Sequence, residues 1–356
     1  MPTPTTQKAL VITEIGNPLT LITDRPVPTP GPNQVQVKVL VAGVNGHDAK
    51  SRAYGLFIKR DVDGQSIVDV PFIPTNDVVG LVTELGPGVT DLQPGDRIVS
   101  QASFGLGSTQ KGLQEYALAD IGALAKIPAS ISNDEAATLP TNITAPLVAL
   151  FITLDIPAPW TPPAATFNYA DKALLVVGGG SNCGQFGVQL AKLAGIGTIV
   201  VVGGDEAKLK SFGATHVINR HLGFDAVLAQ IREIVGDDLV YAYDAVNPPE
   251  GQLLAANALS SSKKGALVRL LPLGPVDESR VVGKKAGFEV RDVFGSSHAH
   301  PEFAAEFWAR VPGFLTSGEI KPLDFVVKQG LLPEHVNEVL DRYAAGEGVL
   351  KTHIHL

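Results

Sequence analysis

Apolar and polar positions change rhythm along this chain. Over residues 1–141 they form short alternating or fully apolar runs at 8–12, 35–42, 78–85 and 97–100, separated by Pro28-Thr29-Pro30-Gly31-Pro32 and Gly86-Pro87-Gly88. A period of two turns one face of a strand inward, and proline and glycine end each run, so the pattern predicts a small β-barrel or sandwich. Ser132-Asn133-Asp134-Glu135 then supplies helix-capping side chains before Ala136-Ala137, which predicts a helix toward Leu154 with breaks at Pro140 and Pro146. A proline-rich covering loop, 157–163, leads into a second rhythm.

Leu174-Leu175-Val176-Val177 runs into Gly178-Gly179-Gly180-Ser181-Asn182-Cys183-Gly184, and Phe186, Val188, Leu190 and Ala191 then suit one packed helix flank. The order is strand, tight turn, helix. A β-branched strand at 198–202 closes on Gly203-Gly204, followed by a short helix at 205–212, a strand at 216–219, a helix near 226–235 and strands at 239–245 and 266–271. Strands alternating with helices predict an α/β, doubly wound parallel sheet. From about residue 293, helices are expected at 303–308 and 336–343, and a last strand at 349–354 is expected to return to the first domain. The reading is two domains, 1–141 with 293–356, and 142–292, as a length of 356 residues favours.

Gly179-x-Ser181-x-x-Gly184 has the spacing of the dinucleotide fingerprint, with serine as its second member. A turn without side chains lets backbone approach a pyrophosphate, and the N–H groups and dipole of the next helix hold its charge. Gly179, Gly180, Ser181, Asn182, Cys183 and Gly184 are therefore the expected phosphate cradle. Where a site reads NAD, an acid at the end of the second strand hydrogen-bonds the ribose; here that position is Gly203. Lys208 and Lys210 follow as cations, and Asp205 either opposes a phosphate or caps the short helix.

A net charge of −8 offers no field for nucleic acid or anionic lipid, and no apolar run is expected to span a bilayer. The polar opening, residues 2–7, does not read as a signal peptide. The single cysteine, Cys183, agrees with a reducing compartment, so a soluble cytoplasmic monomer or homodimer is expected, with no nucleic-acid or membrane partner. Cys183 itself is expected to be a buried packing residue.

Pro28-x-Pro30-Gly31-Pro32-x-x-Val35-x-Val37-Lys38-Val39, Ala42-Gly43-Val44-Asn45-x-x-Asp48-x-Lys50, Val79-Gly80-x-Val82-x-x-Leu85-Gly86-x-Gly88-Val89, Pro94-Gly95-Asp96-Arg97-Ile98 and Phe212-Gly213-Ala214 resemble the medium-chain dehydrogenase/reductase superfamily. The loop before the glycine turn and the Gly-Gly-Gly-Ser-Asn-Cys-Gly run are similar to fungal members near the stand-alone enoyl reductases of polyketide pathways. The resemblance implies a chaperonin-10-like (GroES-like) barrel, a Rossmann domain inserted after it, and an active site in the cleft between them. The family's first zinc cysteine falls on Asn45 and its Gly-His-Glu histidine on Asn76, and one cysteine cannot build a structural-zinc lobe, so no metal is expected. His47, His298, His300, His353 and His355 do not restore a site, and the last two are expected to point from a terminal strand into solvent.

By the same resemblance Asn45 lies near the nicotinamide, Thr144 at its carboxamide and Arg220 beside the 2′-phosphate, with Phe294 and His298 at the substrate end. NADPH is expected ahead of NADH. Lys50 and Tyr54 fall on the cleft wall, just after the Asn45 motif, and the segment 52–72, which takes in Tyr54, resembles an insertion of variable length. Without metal, hydride transfer from a reduced nicotinamide needs an acceptor polarised by its own conjugation: an enone, a quinone or an enoyl thioester, the last with a carrier-bound acyl chain as one form. The expected activity is reduction of an activated C=C bond, with Tyr54, Lys50 and Asn45 as catalytic candidates. Two alternatives stay open: a zinc-independent ketone or alcohol dehydrogenase, and a non-catalytic nucleotide-binding protein.

Overall fold

The computed structural model describes residues 4–62, 65–105, 107–270 and 274–356; the first residues of the polar opening and Leu271, the last of an expected strand, lie outside them. Two compact units result. One comprises Met1–Thr141, Ser296–Ser317 and Pro322–Leu356, the other Asn142–Gly295 and Gly318–Lys321.

The first unit is built on Gln34–Val44, whose VQVKV alternation continues into the apolar Leu40-Val41-Ala42. It pairs antiparallel with Asp77–Leu85, Tyr116–Asp120 and Lys351–His355. Register shifts between Gln36 and Val37 and between Val39 and Val41 bend the strand, which lets one strand serve several partners of a curled sheet. Ile12, Ile58, Ile73, Val336, Val339 and Leu340 fill one core, and Val35, Val37, Val82 and Ile98 a second. Where a variable insertion is expected to begin, the chain forms the helix Gly46–Tyr54, which starts at Asn45 and stops at Gly55 in the left-handed region.

The second unit holds a six-stranded parallel sheet in the order His216–Ile218, Thr198–Val202, Ala173–Val177, Tyr241–Asp244, Gly265–Leu270, Phe288–Val293. Leu175 faces Val200 on one side and Ala242 on the other. Alternation of apolar with polar residues is absent from the central strands because both sheet faces are covered, which is why they read as unbroken apolar runs. The strand order reverses between Ala173–Val177 and Tyr241–Asp244, and such a switch opens a crevice at the carboxyl ends of the two strands.

Two expectations change. The helical stretch Asn133–Thr153 is long and apolar enough to cross a membrane, contrary to the reading that no run is; 83% of its apolar window is buried inside the protein, as in a core helix. His353 does not face solvent: it is fully buried, stacks on Phe325 at 5.0 Å, and its Nδ1 lies 2.9 Å from Asp134 Oδ1. His355 Nε2 reaches the same oxygen at 2.9 Å. The terminal strand taken by itself points both rings outward, because the carboxylate that receives them sits on Asn133–Ala137, far away in the chain.

Candidate active site

The glycine turn is glycine for steric reasons. A Cβ on Gly184 would stand 2.3 Å from Gly178 O, and one on Gly179 would stand 2.1 Å from Val201 Cγ1. Helix Asn182–Ala194 can approach its strand this closely only without those atoms. Ser181, in the place of the second glycine, caps the helix: its Oγ accepts from Gly184 N at 3.0 Å and donates to Gly178 O at 2.9 Å.

Above the turn lies a groove of about 1010 Å³ within the second unit, with Gly178, Gly180 and Ser181 in its wall. Gly203 and Gly204 continue the wall with no side chain, and Arg220 crosses it: a Cβ on Gly203 would come 3.2 Å from Arg220 Cδ. Asp205 does not line the groove; its Oδ1 caps the helix Glu206–Phe212 through Lys208 N at 2.7 Å. Lys208 lies outside the lining too, with Nζ 5.8 Å from the Phe212 ring, so the expected second cation is not there. The lining acids are Glu206, paired with Lys210 at 2.7 Å, and Glu250, paired with Arg280 at 2.8 Å. Asn182 opens the helix, and Cys183 is half-buried rather than buried, its Sγ 4.0 Å from Asn142 Oδ1.

Among the described residues, the buried polar atoms of this unit without a hydrogen-bond partner include Thr144 Oγ1, Gln185 Oε1, the Tyr243 hydroxyl and Asp244 Oδ2. Asp244 ends the strand Tyr241–Asp244 beneath the groove residue Val246. Burial pushes its carboxyl up to about 6, against the lowering pull of the Asn247 and Val246 N–H groups and of Arg269. Phe294, half exposed, follows the last strand of the sheet.

In the first unit, the residues at the family's zinc-ligand positions are amides with committed partners. Asn45 Nδ2 donates to Asp77 Oδ2 at 2.9 Å, and Asn45 Oδ1 accepts from Lys351 Nζ at 2.8 Å. Lys351 also pairs with Asp77, and neither side chain is exposed. Asn76 Nδ2 donates to Ala102 O at 2.8 Å, which leaves its Oδ1 to accept from His47 Nε2 at 3.1 Å. His47 is buried against Phe57 and Phe104, with Asp48 Oδ1 3.3 Å from the same nitrogen. Burial alone would raise Asp48; His47 and the Asn45 and Thr75 N–H donors bring it below the usual carboxylate range.

Lys50 and Tyr54 follow on the same helix. Lys50 is half-buried, which lowers its ammonium pKa, while Tyr54 is 55% exposed and its covered part holds the hydroxyl above its usual value. His298 is turned to a structural partner: its Nε2 lies 2.8 Å from Asp120 Oδ2. Burial opposes ionisation of Asp120, but His298, Gln34 and Gln110 together bring it down to about 2. Among the described residues no group of three His, Cys, Asp or Glu side chains gathers as a metal site.

Sequence reasoning passed over Glu206, His221, Asp77 and Lys351. Lys351 carried a signal, a lysine within the apolar run Val349-Leu350-Lys351-Thr352-His353-Ile354, since a cation there must find a partner.

Comparison with known proteins matches residues 31–129 to the alcohol dehydrogenase GroES-like domain and residues 183–309 to the zinc-binding dehydrogenase family. The trans-enoyl reductase tazE of Aspergillus terreus is 30% identical over 276 residues, 75% of this chain and 86% of the relative. The trans-enoyl reductase resD of Aspergillus sclerotiorum is 29% identical over 337 residues, 87% of this chain and 89% of the relative. A mycobacterial protein solved as a complex with NADPH superposes with a TM-score of 0.71 at 22% identity, over 98% of this chain and all of its own.

Proposed function

The chain belongs to the medium-chain dehydrogenase/reductase superfamily, and we propose that it is an NADPH-dependent reductase acting on an activated C=C bond: an enone, a quinone or an enoyl thioester. The groove at the glycine turn carries the reading. It combines a glycine turn where an added Cβ would clash with the strand beneath, an arginine across the ribose position and, among the described residues, lining acids that are each paired. The named activity of the two fungal relatives supports the same class of reaction.

These residues fit a dinucleotide. Gly179, Gly180 and Gly184 let backbone reach a pyrophosphate; Ser181 keeps the helix start in shape; Arg220 offers its fork to a 2′-phosphate. Thr144 Oγ1, buried without a partner, is the atom we assign to the carboxamide. When bound, the nicotinamide supplies a hydride. Asn45 and Asn76 hold their amides toward Asp77, Lys351, Ala102 and His47, so an acceptor that delocalises the developing charge through its own conjugation suits this site better than a simple ketone. Lys50 is the preferred proton donor, because burial eases release of its proton, whereas it holds the Tyr54 hydroxyl proton more tightly.

The test is to offer an α,β-unsaturated ketone with deuterium-labelled NADPH and locate the label by NMR. Label at the β-carbon is expected. Label at the carbinol carbon would show carbonyl reduction instead, and tight NADPH binding without turnover on enones, quinones or aldehydes would show a binding role.

A further inference from the structure

Two neighbouring side chains of the groove touch each other. Arg220 Nε donates to His221 Nε2 at 3.3 Å, which requires that ring nitrogen to be an unprotonated acceptor. Both residues line the groove and share one turn, Arg220–Leu222. Asn219 Oδ1 fixes the start of that turn by accepting from His221 N at 2.9 Å, and Gly223 with φ 88 ends it.

The surrounding charges are already matched. Glu206 is paired with Lys210, and Glu250, the other acid of the lining, is held by both terminal nitrogens of Arg280 at 2.8 and 3.1 Å. Among the described residues, Arg220 is therefore the lining cation with no carboxylate, and its two terminal nitrogens have no partner. A guanidinium presents its N–H groups in one plane, so fixing Nε fixes where the other donors point.

We propose that His221 is a positioning residue for cofactor choice: by accepting from Nε it holds the Arg220 plane across Gly203, with both terminal nitrogens turned to a phosphomonoester on the ribose. This rests on the reading of the groove as an NADPH site. A Cβ at position 203 would come 3.2 Å from Arg220 Cδ, so any side chain there would press on the arginine stem and shift it from this placement.

The experiment is calorimetric titration of NADPH and NADH into the wild type, Arg220→Ala, His221→Ala, His221→Gln and the double Arg220→Ala/His221→Ala variant. Arg220→Ala is expected to cut the NADPH-to-NADH affinity ratio by about 10- to 100-fold, the range for a lost bidentate phosphate contact. His221→Ala should lower the ratio about three- to tenfold by weakening NADPH alone, and His221→Gln, whose carbonyl can accept from Nε, should recover most of it. In the Arg220→Ala background, His221→Ala should change nothing further, because it acts through the arginine. Equal loss for both cofactors, or a loss that persists without Arg220, would overturn the positioning role while leaving the NADPH site intact. An unchanged ratio in Arg220→Ala would remove the 2′-phosphate assignment and the role of His221 with it.

Discussion

At the scale of single residues, the protein spends its tightest geometry on atoms that are missing. Gly184→Val would drive side-chain carbons into Gly178 O, only 2.3 Å from the Cβ position, and must part the helix from its strand. NADPH affinity measured by calorimetry should disappear; unchanged affinity would place the nucleotide elsewhere. Asp244 gives a prediction about pH. Its carboxyl is raised to about 6 in the folded chain, against about 3.9 when unfolded, so the folded state binds its proton more tightly. The stability from that proton is full below pH 4 and is lost as pH rises through 6. Asp244→Asn keeps an acceptor for the Val246 and Asn247 N–H groups without the buried charge. Denaturant midpoints should coincide near pH 4, and at pH 8 the variant should be more stable by up to about 3 kcal/mol. A gap of equal size at both pH values would contradict this.

At the scale of elements, the helix Gly46–Tyr54 and the strand Lys351–His355 meet at Asn45, where Lys351 and Asp77 form an ion pair with no exposure. Removing one partner leaves a buried charge uncompensated, so Lys351→Met should cost about 3–5 kcal/mol, read as a lower thermal midpoint. Adding Asp77→Asn should return part of it, since the remaining charge goes too. A double variant no more stable than the single one would show that the pair is not what holds the strand.

The same elements show what could be read in advance. The strand at 198–202 and the glycine turn were legible because each is fixed by local pattern: β-branched runs make buried strands, and glycines mark close backbone approach. The edge strand Phe288–Val293 was missed, since FEVRDV is only partly buried and alternates too weakly. Helix Gly46–Tyr54 was hidden by polar residues whose partners lie far along the chain, such as Arg52 with Asp341. Gly203 and Arg220 could be named from spacing. That Lys208 would turn to Phe212, and that His221 would hold Arg220, depends on side-chain directions set by tertiary packing.

At the scale of the whole molecule, the two units are assembled differently. Nearly all of the second is one continuous stretch, Asn142–Gly295, while the first is drawn from three segments. Its closing contacts span very long stretches of chain: 306 residues from Asn45 to Lys351, 219 from Asp134 to His353 and 318 from Leu19 to Asn337. Local contacts form quickly and distant ones slowly. A ribosome emits Asp77 long before Lys351, 274 residues further on, so during synthesis the first unit carries a carboxylate whose counter-ion has not yet been made. Until Lys351–His355 is made, that carboxylate is best kept in water, which leaves the edge of Gln34–Val44 that this strand later covers unpaired.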